Sequence, residues 1–128
     1  MALTKIYAID DDMLDRKMLQ RVVERSGKVN SLELYSYAES AIEELERCDR
    51  LPELILLDIN MPRMNGFEFL EIVDEKLSQA QPPVKVALLT TSSNPADARK
   101  AESFASVGWF LSKPLGRDML DQLVSELS

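Results

Sequence analysis

Residues 54–66 read LILLDINMPRMNG, an apolar run that ends in an acid and a turn. Four consecutive aliphatic side chains predict a strand, Leu54–Leu57, that is covered on both faces of a sheet. The carboxylate of Asp58 follows at the carboxyl end of this strand, before a segment rich in Pro, Asn and Gly that predicts a turn. Ligands of open α/β sheets bind outside the carboxyl ends of the strands, so we expect Asp58 to line a site.

Two other predicted strands also end in charged residues. The strand Lys5–Ile9 is followed by three acids in a row, residues 10–12, and the strand Trp109–Leu111 is soon followed by Lys113. Asp12 is well placed to cap the next helix, because a carboxylate there accepts hydrogen bonds from unpaired backbone N–H groups. Three strand ends should therefore bring carboxylates and one ammonium into a single pocket.

The whole chain alternates between apolar runs and turn signals, which predicts five strand–helix pairs in one domain. Strands linked by helices pair in parallel through right-handed crossovers, so the fold class is α/β. The predicted strands are Lys5–Ile9, Leu32–Tyr37, Leu54–Leu57, Val84–Leu89 and Trp109–Leu111. The predicted helices are Met13–Arg25, Glu39–Cys48, Phe67–Leu77, Pro95 to about Ala105, and Leu115–Leu127. The first helix is expected to bury Leu14, Met18, Leu19, Val22 and Val23.

Composition excludes several classes of partner. The 128 residues carry a net charge of −7 and no His, which argues against nucleic acid or an anionic membrane as the main partner. No segment approaches the ~20 apolar residues of a membrane span, and the N-terminus does not resemble a signal peptide. Cys48 is the only cysteine, so an internal disulfide is impossible and a reducing, cytoplasmic location is expected.

The predicted pocket favours a divalent cation. Asp10, Asp11 and Asp58 would repel one another in a partly desolvated cleft, and one of them should then take up a proton. Mg²⁺ removes this conflict, because it binds one or two carboxylates and keeps waters that a phosphate oxygen can replace. The acidic cluster therefore predicts a magnesium site.

The same pocket suits phosphoryl transfer. The carboxylate of Asp58 is the candidate nucleophile, because an aspartate can attack phosphorus and hold the product as an aspartyl phosphate. Lys113 and the hydroxyl of Thr90 can stabilise the phosphoryl oxygens, since this chemistry needs mainly positioning and charge neutralisation. Each residue also has a structural explanation: Asp58 as a turn residue, Lys113 as a solvated lysine, and Phe110 as part of the core.

These residues resemble the receiver domain of two-component response regulators, over essentially the entire chain. The most specific part is the run 57–66, in which Asp58 matches the phosphate-accepting aspartate. Asp10 and Asp11 match the acidic pair of the family; the resemblance implies that Asp11 binds Mg²⁺ directly and that Asp10 acts through water. It also implies that the backbone carbonyl of Asn60 completes the metal ligands.

Further landmarks of the family follow in the expected order. Thr90 matches the switch hydroxyl, and Lys113-Pro114 matches the conserved lysine with its often cis-bonded proline. Phe110 falls at the position of the switch aromatic. Thr91 stays open as an alternative to Thr90, because the spacing between Thr90 and Lys113 is one residue longer than in the best-known members.

The resemblance implies a flavodoxin-like, doubly wound, five-stranded parallel sheet of order 2-1-3-4-5. It also implies a phosphoryl donor, either a sensor histidine kinase or a histidine phosphotransfer protein, and a downstream protein target. The face around Trp109 and Met119 is expected to be either a homodimer surface or the site where the target binds. Because Ser128 directly follows the last helix, residues 1–128 are expected to be one receiver domain without an output domain, and not a turnover enzyme.

Three alternatives remain at this point. A phosphatase with an aspartate nucleophile would need a second acid at residue 60, where this chain has Asn60. A flavin carrier of the same topology would need a phosphate-binding loop after the first strand, where the acids 10–12 would repel a phosphate. A receiver that only binds partners, without phosphorylation, is the third.

Overall fold

The computed structural model describes residues 3–91 and 94–127, and within these ranges five strands alternate with five helices. The strands are β1 Leu3–Ile9, β2 Val29–Tyr35, β3 Leu54–Asp58, β4 Lys85–Thr90 and β5 Val107–Ser112. The helices are α1 Met13–Ser26, α2 Ala38–Arg47, α3 Gly66–Gln79, α4 Pro95–Ala101 and α5 Arg117–Leu127. Across the described residues, none of these helices has the length and apolar character needed to cross a membrane.

The strands form one parallel sheet in the order β2-β1-β3-β4-β5, which confirms the expected fold. The register aligns the carboxyl ends of the three central strands: Ile9 lies opposite Leu57, and Asp58 lies opposite Leu89. The strand order changes direction between β1 and β3, and in doubly wound sheets ligands bind at that point. The residues that directly follow β1 therefore lie beside the end of β3.

Both faces of the sheet are covered by helices. Helices α2, α3 and α4 pack on one face, around Phe69, Leu70 and Leu77, which are fully buried. Helices α1 and α5 pack on the other face, around Leu120 and Leu123. All five residues of β3 are buried, which explains why its sequence is a continuous apolar run rather than an alternating one.

Local hydrogen bonds fix where the helices next to the site begin. The Asp12 side chain accepts hydrogen bonds from the backbone N–H groups of Leu14 and Asp15, so the predicted cap of α1 is confirmed. At the start of α3, the side chains of Asn65 and Glu68 each accept a hydrogen bond from the other residue's backbone N–H. One cap follows the acids that end β1, and the other follows the turn after Asp58.

Several predicted boundaries were wrong. β2 runs over 29–35 rather than 32–37, because its pairing with β1 begins at Val29 opposite Leu3. Helix α4 ends at Ala101 rather than about Ala105, since the N–H groups of residues 105 and 106 donate to the carboxylate of Asp74 instead of continuing the helix. The last helix begins at Arg117, two residues later than predicted.

The buried face of α1 also differs from the prediction. Leu19 and Val23 are buried, but Leu14 is 66% exposed and Met18 is 48% exposed. Successive helix residues are about 100° apart, which places Leu14 about 180° from Val23 around the helix axis. The apolar side chains of α1 therefore lie on more than one face of the helix, and only the face with Leu19 and Val23 packs against the core.

Candidate functional site

Three carboxylates meet at the carboxyl end of the sheet. Oxygen atoms of Asp10, Asp11 and Asp58 lie within 4.8 Å of one another. Asp10 and Asp58 are 1% and 5% exposed, whereas Asp11 faces solvent. β1 and β3 are neighbours in the sheet, so the residues that end them must converge. The structure thus brings together the acids that the sequence predicted would meet.

Backbone N–H groups orient the two buried carboxylates. Asp10 accepts a hydrogen bond from the N–H of Asp12 at 2.9 Å, and Asp58 accepts one from the N–H of Asn60 at 3.2 Å. Burial, together with repulsion from Asp10, raises the pKa of Asp58 to about 6, although the nearby Lys113 ammonium opposes this shift. Without a cation, the pocket therefore holds more negative charge than its own residues neutralise.

Lys113 supplies the positive charge of the pocket. Its Nζ lies 2.8 Å from Asp10, 2.9 Å from Asp15 and 3.3 Å from Asp58. Burial disfavours the charge on Lys113, but the hydrogen bonds to Asp10 and Asp15 outweigh that cost and raise its pKa. The side chain is only 13% exposed, so the ammonium is held by carboxylates rather than by bulk water.

The backbone around Lys113 is fixed as well. The Lys113 N–H donates to the carbonyl of Thr90 at 2.9 Å, which ties the end of β5 to the end of β4. The Lys113-Pro114 peptide bond is cis. Lys113 follows β5, which is separated from β3 by β4, and its side chain reaches across to the acids.

Asp15 is a contact that the sequence analysis missed. It lies in the first turn of α1, where an acid has an ordinary role beside the helix N-terminus, and this explains why it did not stand out. A usable signal existed, because the predicted helix start at Met13 places Asp15 one turn after the acids that end β1.

Thr90 and Phe110 lie on one side of the sheet. Thr90 is 1% exposed at the end of β4, whereas Thr91 is exposed. Phe110 lies opposite Leu88 in β5 and packs half-buried against the core beneath α2, α3 and α4. Side chains two apart in a strand share a face, so Thr90 lies on the same face as Leu88 and Phe110. This placement favours Thr90 over Thr91 as the inward-facing hydroxyl.

The residues of the pocket fit Mg²⁺. All the ligand atoms on offer are carboxylate oxygens, which this hard cation prefers. Because Asp11 is exposed, water can reach the cluster from its side. Burial and the neighbouring Asp10 raise the pKa of Asp58, so a cation bound beside it would favour the charged form of this carboxylate. Asp10, Asp11 and Asp58 together offer the carboxylate oxygens that could hold the ion.

The close approach of Gly66 to β3 gives a testable prediction. A Cβ atom at Gly66 would lie 2.8 Å from the carbonyl oxygen of Asp58 and 3.0 Å from the Cα of Ile59. We expect Gly66→Ala to lower the free energy of unfolding by about 1–2 kcal/mol, because backbone must move to admit the methyl group. Urea titration followed by circular dichroism measures this loss.

Gly108→Ala is the matched control, because a Cβ at Gly108 meets no atom within 4 Å. We expect it to leave the free energy of unfolding within about 0.5 kcal/mol of the wild type, as ordinary surface substitutions do. Equal midpoints for the two variants would show that Gly66 does not restrain the Asp58 backbone.

Comparison with known proteins agrees with this geometry. A family model described as the response regulator receiver domain matches residues 6–125. The chain belongs to this family. The crystal structure of a two-component response regulator from Cytophaga hutchinsonii superimposes with a TM-score of 0.90 and 27% identity, covering 99% of this chain and 98% of that one. Membership of this family supports a general role in phosphate-accepting signalling.

The chain covers very different shares of the curated relatives that it matches. The chain is 30% identical over 127 residues to hybrid signal transduction histidine kinase C of Dictyostelium discoideum, covering 94% of the chain and 10% of that protein. It is 29% identical over 126 residues to the probable methanogenesis regulatory protein FilR2 of Methanothrix harundinacea, covering 95% of the chain and 79% of that protein. The expected absence of an output domain stays a prediction.

Proposed function

We propose that this receiver accepts a phosphoryl group on Asp58 from phosphohistidine of a sensor histidine kinase or a histidine phosphotransfer protein. The observation that carries the proposal is the setting of Asp58. Its buried carboxylate lies at the end of the central strand, 3.3 Å from the Lys113 ammonium and beside Asp10 and Asp11. An aspartate that served only as a turn residue would not need to be buried beside two further acids and a buried lysine.

In the proposed step, a carboxylate oxygen of Asp58 attacks phosphorus and forms a P–O bond while the P–N bond of the donor breaks. The electron pair of that bond stays on the imidazole nitrogen, which then takes a proton. In this proposal Lys113 stabilises the charge on the phosphoryl oxygens, and the Thr90 hydroxyl donates a hydrogen bond to one of them. The N–H of Asn60 keeps the attacking carboxylate oriented.

Mg²⁺ is the proposed cofactor. Asp11, Asp58 and the backbone carbonyl of Asn60 would hold the ion, with Asp10 acting through water. When bound, it would neutralise part of the charge on the phosphoryl oxygens.

The proposed output is a contact with a downstream protein or transfer of the phosphoryl group to another partner. A hydrogen bond between Thr90 and the phosphoryl group would draw the end of β4 toward the site. Phe110 lies on the same face of the adjacent strand, so we propose that its rotamer populations change with it. This is a shift between existing conformations, not a new fold.

Intact-mass spectrometry tests the proposal directly. The protein is mixed with acetyl phosphate, a small phosphoryl donor, with Mg²⁺ or with excess EDTA. We expect the mass of one phosphoryl group to appear only with Mg²⁺, and to be absent in Asp58→Asn, because the amide is not a nucleophile for phosphorus.

Asp12→Asn is the matched control for this experiment. It removes an acid from the same loop but keeps a good helix cap, since Asn and Asp cap comparably. It should gain mass as the wild type does. Undiminished labelling of Asp58→Asn would contradict the assignment of the phosphate acceptor. A wild type that is never labelled would favour a receiver that binds partners without phosphorylation.

A further inference from the structure

Lys113 is shared among three carboxylates, and the closest two are not the proposed phosphate acceptor. Its Nζ is 2.8 Å from Asp10 and 2.9 Å from Asp15, but 3.3 Å from Asp58. Its ammonium donates hydrogen bonds to Asp10 and Asp15, whereas its longer contact with Asp58 is an ion pair. Asp15 therefore takes part of the charge that would otherwise act on Asp58.

The two closest carboxylates differ in what else they could do. Asp10 is 1% exposed and belongs to the acidic cluster that fits a cation. Asp15 comes from α1, is 34% exposed, and lies outside that cluster. Within the described residues, the pocket thus has one acid whose contact is with the lysine rather than with the candidate metal position.

We propose that Asp15 is a positioning residue that acts through Lys113 and sets how strongly the pocket favours cations over anions. It draws the ammonium toward α1 and neutralises part of its charge. As a result, Lys113 repels a cation at the acidic cluster less and attracts a phosphoryl group on Asp58 less. This inference rests on the proposed function.

Asp15→Asn should change the affinities for Mg²⁺ and for a phosphoryl mimic in opposite directions. In Asp15→Asn the ammonium loses one anionic partner and its field at Asp58 increases. Binding of Mg²⁺ alone should weaken by roughly two- to fivefold, the size expected for a partly exposed ion pair. Binding of beryllofluoride, a mimic of the phosphoryl group, should strengthen by a similar factor at saturating Mg²⁺. A merely structural role for Asp15 would weaken both.

Isothermal titration calorimetry of the full chain measures both affinities. The control is Asp12→Asn, which removes the same charge from the same helix end while its side chain faces the backbone N–H groups of Leu14 and Asp15. We expect this control to change both affinities less than twofold. If the two variants change the affinities equally, the effect comes from the net charge near the helix end, and the role of the Lys113 contact is overturned. Weaker binding of both ligands by Asp15→Asn would overturn it as well.

The same titrations separate this inference from the proposed function. A wild type that binds neither Mg²⁺ nor beryllofluoride contradicts the proposed phosphoryl site itself. A wild type that binds both, together with an Asp15→Asn variant that matches it, overturns only the positioning role.

Discussion

Replacing Lys113 by Met should lower the free energy of unfolding at pH 8 by about 3–5 kcal/mol, the usual cost of removing one partner from a buried ion pair. The substitution keeps an unbranched apolar side chain but removes the ammonium. Asp10 and Asp58, which are 1% and 6% exposed at their side chains, are then left without their cation. Urea titration in EDTA measures the loss without interference from a bound metal.

Two further variants make this prediction specific. Lys28→Met removes an ammonium that is half exposed and 3.6 Å from Asp121, and exposed pairs of this kind contribute at most about 1 kcal/mol. The double variant Lys113→Met with Asp58→Asn should regain much of the lost stability, because the uncompensated buried charge is gone. A loss below about 1 kcal/mol in Lys113→Met would mean that the acids do not depend on the lysine.

The fold and the acidic cluster could be predicted because the relevant signals are local and repeated. The apolar runs mark the strands, and a charged residue follows the run in β1, β3 and β5. Parallel strands place these ends at one edge, so Asp10, Asp58 and Lys113 had to meet once the topology was known. The strand order itself, which makes β1 the neighbour of β3, came from the resemblance to receiver domains and not from the alternation of strands and helices.

What could not be predicted depends on contacts between distant elements. After α4, the carboxylate of Asp74 in α3 accepts hydrogen bonds from the N–H groups of residues 105 and 106, which keeps them out of the helix. The contact between Asp15 and Lys113 joins residues that are 98 positions apart in sequence. Both acids have ordinary explanations as helix residues, so composition and spacing do not distinguish them from their neighbours.

The ionisation of Asp58 should make the metal-free protein less stable as the pH rises from about 4 to about 6. The folded protein holds the pKa of Asp58 at about 6, whereas an unfolded aspartate titrates near 3.9. The folded state therefore binds more protons in this interval, and stability falls until Asp58 is fully ionised. A difference of about two pKa units lowers the free energy of unfolding by about 3 kcal/mol, and this loss is complete above about pH 6.

Asp58→Asn should remove this loss, because the amide carries no charge at any of these pH values. The variant should be more stable than the wild type by about 2–3 kcal/mol at pH 8, and the difference should shrink toward zero near pH 4. Urea titrations of both proteins in EDTA across this range measure the difference, and the other acids largely cancel in the comparison. Added Mg²⁺ should narrow the gap at pH 8, because it stabilises the protein that keeps the Asp58 carboxylate. A variant that is less stable than the wild type at pH 8 in EDTA would show that the Asp58 charge is already compensated by Lys113 alone.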